Sequence, residues 1–372
     1  MARVRPADPW TSSQRRPWRE RSGARVRTKV DPIGTGPTLA SPAADSVNLS
    51  VDLSVDLATR RPGALVLQNP VLAASGVFGY GVEYAEVVDL DGLGAICCKG
   101  TTLGARTGNA PPRIAETAAG LLNSIGLQNP GVEAVIERHA PIWASWEVPV
   151  IVNVAAESVE DYATLAGRLD GVPGVAAIEL NVSCPNVGRG GLQFALDPES
   201  AAAATAAARR ATELPLLVKL SAAATDVRGV ARAVEAAGAD ALCAVNTLPG
   251  LAIDRERRRP VLGNTYGGLS GPALKPVALR VVYEVSQAVR IPVVGIGGVT
   301  TLEDVLDYLM AGASAVQVGT AIFADPTLPL RLVEELGEWC AAHGLASHRD
   351  VIGAAHRSGR QRPSATAAEY RP

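Results

Sequence analysis

Val293-Val294-Gly295-Ile296-Gly297-Gly298-Val299-Thr300-Thr301-Leu302-Glu303-Asp304-Val305-Leu306-Asp307-Tyr308-Leu309-Met310-Ala311-Gly312-Ala313-Ser314-Ala315-Val316-Gln317-Val318-Gly319-Thr320 is the stretch on which the fold turns. Val293–Ile296 is a short apolar run of strand length, closed by a glycine turn. Thr301 is placed to cap a helix, with Asp304 three residues on. Leu302, Val305, Leu306, Leu309 and Met310 then fall on one helical face until Gly312 stops it. Ala315–Val318 follows as the next apolar run. Strand, helix and strand so closely joined spell a parallel βαβ unit.

The unit recurs upstream. Val71–Ala74, Gly94–Cys98, Val150–Val154, Ala176–Leu180, Leu216–Leu220 and Ala241–Val245 read as further core strands. Eight units within roughly 300 residues predict an α/β fold of the (β/α)8 TIM barrel type in preference to an open, doubly wound sheet. Asn48 to Leu57 and Ala64 to Leu67 read as an extra hairpin closing the barrel bottom. Residues 1–46, with eight arginines and Lys29 against Asp8, Glu20, Asp31 and Asp45, carry no apolar period and read as a disordered basic extension. The barrel domain is expected over 47–357 and a flexible tail over 358–372.

Composition agrees. The chain has 372 residues, 47% hydrophobic but only 4% aromatic, with 37 glycines, which suits many short elements around an aliphatic interior. A formal charge of -2, from 35 basic against 37 acidic residues, gives no footprint for nucleic acid. No apolar stretch approaches the roughly 20 residues of a membrane span. The five cysteines are odd in number and share no spacing, so a reduced, cytoplasmic chain without a metal site is expected.

In a parallel barrel, chemistry gathers at the C-terminal strand ends. The polar or glycine residues at or just past the ends of the apolar runs are Ser75, Lys99, Asn153, Asn181, Lys219, Asn246, Gly297 and Gly319. A purely structural barrel has no use for two lysines and three amides at one rim. Gly297-Gly298 and Gly319-Thr320 follow the last two strands, where backbone N–H groups can approach a phosphate. Cys184 sits in a loop after strand four, between Asn181 and Asn186 and before Gly188, Gly190 and Gly191, whereas Cys97, Cys98, Cys243 and Cys340 read as small buried residues. The four histidines fall in helices or near the C-terminus, which argues against a Ser-His or Cys-His pair. The inventory left is a thiol without a histidine, a phosphate-bearing cofactor and lysines to hold negative charge. Proton abstraction coupled to flavin redox chemistry fits it.

Asn69-Pro70 with Ala74-Ser75-Gly76, Lys99-Gly100-Thr101-Thr102, Leu122 to Pro130, Asn181 to Asn186, Asn246-Thr247, Gly267 to Pro272 and Gly319-Thr320 together resemble the dihydroorotate dehydrogenases of the soluble class, above all the NAD-linked catalytic subunit. The resemblance covers about 47–357. It implies an FMN-binding barrel that oxidises (S)-dihydroorotate to orotate in pyrimidine (UMP) biosynthesis, with Cys184 as the base at C5 and Lys99 between flavin and substrate. A serine takes the cysteine's place in the membrane-bound, quinone-reducing relatives. Asn123, Ser124, Ile125, Gly126, Leu127, Asn181, Asn246 and Thr247 are implied to hold the substrate. Ser75, Lys99, Gly100, Asn153, Asn181, Lys219, Val245, Gly271, Gly297, Gly298, Gly319 and Thr320 are implied to hold FMN. It also implies a homodimer flanked by partner chains that carry FAD and a [2Fe–2S] cluster and pass electrons to NAD+.

A self-sufficient homodimer reducing fumarate fits the same family, but Ile125, Gln128-Asn129-Pro130 and Pro260-Val261-Leu262 look more like the NAD-linked type. The barrel of dihydropyrimidine dehydrogenase also uses a loop cysteine, yet that enzyme carries extra domains. A non-catalytic barrel binding a phosphorylated ligand has no need for Cys184, Lys99 and Lys219 together.

Overall fold

The computed structural model describes residues 51–182 and 191–358. The basic extension, most of the C-terminal tail and Cys184 with its loop lie outside these residues.

Eight parallel strands close into a barrel in sequence order: β1 (Val71–Ala73), β2 (Ala95–Cys97), β3 (Val150–Val154), β4 (Ala177–Leu180), β5 (Leu216–Leu220), β6 (Ala241–Ala244), β7 (Val293–Ile296) and β8 (Ala315–Val318). All eight expected strands are present, each within a residue of its expected bounds. Alternation sorts each strand's side chains between two cores. Val150, Val152, Ile178, Leu180, Leu216 and Val218 face outward onto the helices. Leu72, Ala95, Ile151, Ala177, Leu217, Val294 and Ala315 face the barrel axis, where they meet Val55, Leu57, Leu65 and Leu67. Those last four come from the N-terminal hairpin, Val55–Asp56 against Val66–Leu67, which closes the bottom as expected.

The helices obey the caps written into the sequence. Ser158 accepts from the Asp161 N–H to start Val159–Leu169, and Asp197 accepts from the Ser200 N–H to start Pro198–Ala211. Thr301 and Asp304 form the reciprocal capping box of Leu302–Met310. Gly312 follows at φ 106°, a left-handed conformation that suits glycine at a helix end.

The barrel reading did not anticipate a four-stranded antiparallel sheet at the C-terminal end. Its order is Leu248–Gly250, Gly267–Ser270, Gly120–Asn123, Ile114–Thr117, so it is built from the excursions after β2 and β6. It forms a roof over the strand ends. The roof fits closely because Gly120 and Gly271 meet backbone to backbone, a Cβ on Gly120 falling 2.0 Å from the Ser270 carbonyl oxygen.

Candidate active site

Between roof and barrel lies a cavity of about 250 Å³, far more than the roughly 30 Å³ of one water, so it is sized for an organic ligand. The strand-end residues Ser75, Lys99, Gly100, Asn153, Asn181, Lys219, Val245, Asn246 and Thr247 all line it. So do Gly271, Gly297, Gly298, Gly319 and Thr320 on one side and Asn123, Ile125, Gly126 and Leu127 on another. Ser124 does not. It is buried behind the wall, where its carbonyl and hydroxyl oxygens accept from Asn109 Nδ2 at 3.1 and 2.9 Å. Val77, Ile114, Leu121, Ser270, Leu274 and Phe323 also line the cavity and were not anticipated, because they are ordinary apolar or roof residues with no signal of their own.

The floor is polar and wholly enclosed. Alternation along β3, β4, β5 and β8 turns Asn153, Glu179, Lys219 and Gln317 inward, one layer above the apolar bottom. Lys219 Nζ lies 3.3 Å from Glu179 Oε1 and 3.2 Å from Ser75 Oγ. Burial works most strongly against the Lys219 charge, but the Glu179 carboxylate, joined by Cys97 and Cys243, more than offsets it and the ammonium is held above its usual range. Burial likewise opposes the Glu179 charge most strongly; Lys219, then hydrogen bonds led by that from Gln317 and including that from Asn153, bring its pKa below the usual carboxylate range. Both groups are therefore charged at neutral pH. Glu179 was not read as a site residue, although a lone acid inside Ala177-Ile178-Glu179-Leu180 was the signal available.

Lys99 differs. Its ammonium stands at the cavity without a hydrogen bond or ion pair to any described residue, and burial pushes it below the usual lysine range. On the opposite wall, Asn246 Nδ2 donates to Asn181 Oδ1 at 3.1 Å, while the Thr247 N–H donates to Asn246 Oδ1 at 2.8 Å. The Asn123 to Pro130 stretch holds Gly126 and Leu127 at φ 74° and 54°. For Leu127 that left-handed conformation is strained by about 1–3 kcal/mol. Asn129 clamps it, donating to the Leu127 carbonyl at 2.7 Å and accepting from the Gly131 N–H at 2.9 Å.

At the far end, Gly297 (φ 129°) and Gly298 (φ 73°) bring bare backbone to the cavity, and Thr320 Oγ1 donates to Ser270 Oγ at 2.8 Å. The glycine turn is anchored by Asp304, which accepts from the Thr300 N–H and hydroxyl at 2.7 Å each and pairs with Lys275. Burial would raise the Asp304 pKa, yet Lys275 and Thr300 more than offset it, and the net shift is downward. A depressed carboxylate stabilises the fold above the unfolded value of about 4 and loses that contribution as pH falls through its folded pKa. Asp304→Asn is accordingly expected to lower the melting temperature at pH 7 and to match wild type more closely below about pH 4. Melting curves at both pH values check this; an equal deficit at each would refute it.

The family model described as dihydroorotate dehydrogenase matches residues 57–339, from the bottom hairpin through the last barrel helix. The chain belongs to the dihydroorotate dehydrogenase family. Among curated relatives, it is 52% identical over 295 residues to the "Dihydroorotate dehydrogenase B (NAD(+)), catalytic subunit" of Desulforudis audaxviator, covering 79% of this chain and 96% of that one. It is 52% identical over 303 residues to the protein of the same name from Pelobacter propionicus, covering 82% and 98%. Among solved structures, a dihydroorotate dehydrogenase from Eimeria tenella in complex with ferulenol aligns with a TM-score of 0.69, covering 86% of this chain and 92% of that one. At 22% identity, that likeness speaks for the fold alone.

Dihydroorotate dehydrogenases are flavin enzymes, and the cavity suits FMN on its own terms. Asn153 Oδ1 is buried in the floor without a hydrogen-bond partner, so it needs a donor from a ligand. The glycine turns leave backbone N–H groups open to a phosphate, and Lys219 supplies a fixed positive charge beneath. Among the described residues no group of histidine, cysteine or acidic side chains could hold a metal ion, and no helix is long and apolar enough to cross a membrane.

Proposed function

We propose that this chain oxidises (S)-dihydroorotate to orotate as the FMN-bearing catalytic subunit of an NAD-linked dihydroorotate dehydrogenase in the cytoplasm. The observation that carries the reading is the 52% identity, over 79% of this chain, to a relative named for that subunit. Gly271, Gly297, Gly298, Gly319 and Thr320 hold the phosphate; Ser75, Lys99, Gly100, Asn153, Asn181, Lys219 and Val245 hold the ring. FMN, when bound, supplies the acceptor for the hydride that leaves C6. Asn123, Ile125, Gly126, Leu127, Asn181, Asn246 and Thr247 orient the pyrimidine, whose imide and carbonyl edges match amide and hydroxyl groups. Ser124 supports that wall from behind. Lys99 meets the substrate carboxylate, and its lack of an internal partner leaves its ammonium available to do so. Cys184, as thiolate, takes the C5 proton, and the C5–C6 double bond forms as that proton and the C6 hydride depart.

NAD+ is reached through a partner chain bearing FAD and a [2Fe–2S] cluster, with two catalytic subunits forming a homodimer at the centre. An anaerobic titration tests the reading. Dihydroorotate is expected to bleach the flavin band near about 450 nm in the purified protein, and reoxidation by NAD+ is expected only with the partner present. A flavin that stays oxidised would sink the substrate assignment, and reoxidation by fumarate in the absence of a partner would favour the self-sufficient type.

A further inference from the structure

Glu179 is fully buried in the barrel interior, and four side chains converge on it. Asn153 Nδ2 donates to Oε1 at 2.6 Å, Cys97 Sγ at 3.3 Å and Lys219 Nζ at 3.3 Å, while Gln317 Nε2 donates to Oε2 at 2.9 Å. Barrel packing does not require a carboxylate here, since the layer directly below is wholly aliphatic apart from Cys97 and Cys243. Nor is stability a sufficient reason, because a buried ion pair gains little over well-packed apolar side chains of the same volume. The consequence of the arrangement is orientation. An ammonium has three donors; Glu179 and Ser75 take two from Lys219, which leaves one. An amide has an oxygen and a nitrogen end; Glu179 ties down the nitrogen of Asn153 and so leaves its oxygen, buried and unpartnered, as an acceptor.

We propose that Glu179 is a positioning residue that fixes the cavity floor as one donor from Lys219 beside one acceptor from Asn153, the complement of a heterocycle edge carrying an acceptor next to an N–H. The inference deepens the flavin reading above and rests on it. Glu179 touches neither ligand; it acts through the two residues that do.

The test is a cycle on the full-length protein with Glu179→Gln, Glu179→Asp, Lys219→Met and the double variant Glu179→Gln with Lys219→Met. Apoprotein is titrated with FMN by flavin fluorescence, and anaerobic bleaching by dihydroorotate is followed by stopped flow. Glu179→Gln is expected to bind FMN about tenfold more weakly and to bleach about tenfold more slowly, with the KM for dihydroorotate unchanged. Glu179→Asp keeps the charge and is expected to recover part of both losses. The double variant is expected to lose less than the product of the two single losses, because part of the Glu179 effect runs through that lysine and the remainder through Asn153. Wild-type behaviour in Glu179→Gln, an Asp variant no better than Gln, or a double variant whose losses multiply would each overturn the inference. Should Glu179→Gln fail to fold, the double variant, which buries no unpaired charge, decides alone: wild-type FMN affinity and bleaching in it would overturn the inference. A wild type that dihydroorotate cannot bleach, beside a Gln variant weakened for FMN, would fail the proposed substrate and leave this inference standing.

Discussion

Cys184→Ala is expected to stay yellow and to bind orotate, yet to be bleached by dihydroorotate about 10²–10⁴-fold more slowly than wild type, the span a positioned general base contributes. The other cysteines sharpen this expectation. Burial pushes the thiols of Cys97 and Cys243 far up and that of Cys98 up to about 12, and it raises Cys340 as well, so none of the four is a thiolate at neutral pH. Cys97 is also engaged as a donor to Glu179. These four leave Cys184, which the sequence places in a loop, as the cysteine proposed for the base role. Cys184→Ser is expected to keep some activity with its profile moved to higher pH, because a hydroxyl is a much weaker acid than a thiol of pKa about 8.5. Stopped-flow bleaching across pH is the measurement. Wild-type rates in the alanine variant, or an unmoved profile in the serine variant, would remove Cys184 from the chemistry.

Gly298→Val is expected to lose most of its flavin. At φ 73° a β-branched residue is a conformational outlier, and any Cβ would lie 2.8 Å from Lys275 Cβ and 3.0 Å from the Gly271 carbonyl oxygen. Backbone strain of about 1–3 kcal/mol and overpacking of about 1–3 kcal/mol act on the same turn. Lys275 cannot readily yield, since it is held by Asp304 and Asp307. The turn must move, and with it the backbone that meets the phosphate, weakening FMN by about 100-fold for each 2.8 kcal/mol lost. Equilibrium dialysis against FMN checks this directly. A variant that keeps wild-type affinity would show that the phosphate is gripped elsewhere, leaving Gly319 and Thr320 as the place to look.

The barrel was legible because parallel strands are buried on both faces and so read as continuous apolar runs, as Leu216-Leu217-Val218 and Ala315-Val316 do. The ring of site residues was legible for the same reason, since polarity begins where the runs end. The roof was not. Its strands carry Gly267-Gly268, Pro249 and Glu116, lack clean alternation, and are joined at the centre by one pairing across more than a hundred residues, Gly268 with Asn123. Glu179 carries no strand-end signal, because an inward-facing position in mid-strand reaches the cavity floor from beneath. Ser124 was named with its neighbours as one stretch, and only Asn109, folding back against it, reveals that this residue turns away.

The two-part construction of the cavity separates what evolution or an engineer can change from what must be kept. Everything that meets the roof side of a ligand arrives on excursions inserted after β2 and β6, while the charged floor belongs to the barrel strands themselves. Excursions can be lengthened, shortened or exchanged with little strain on the barrel, provided the Gly120 to Gly271 seam is preserved. Of the residues proposed to orient the ring, Asn123 to Leu127 arrive on the first excursion while Asn181, Asn246 and Thr247 stand at barrel-strand ends, so a graft that retargets the cavity must carry the 114–130 and 246–271 segments together and keep Asn181 in register with them.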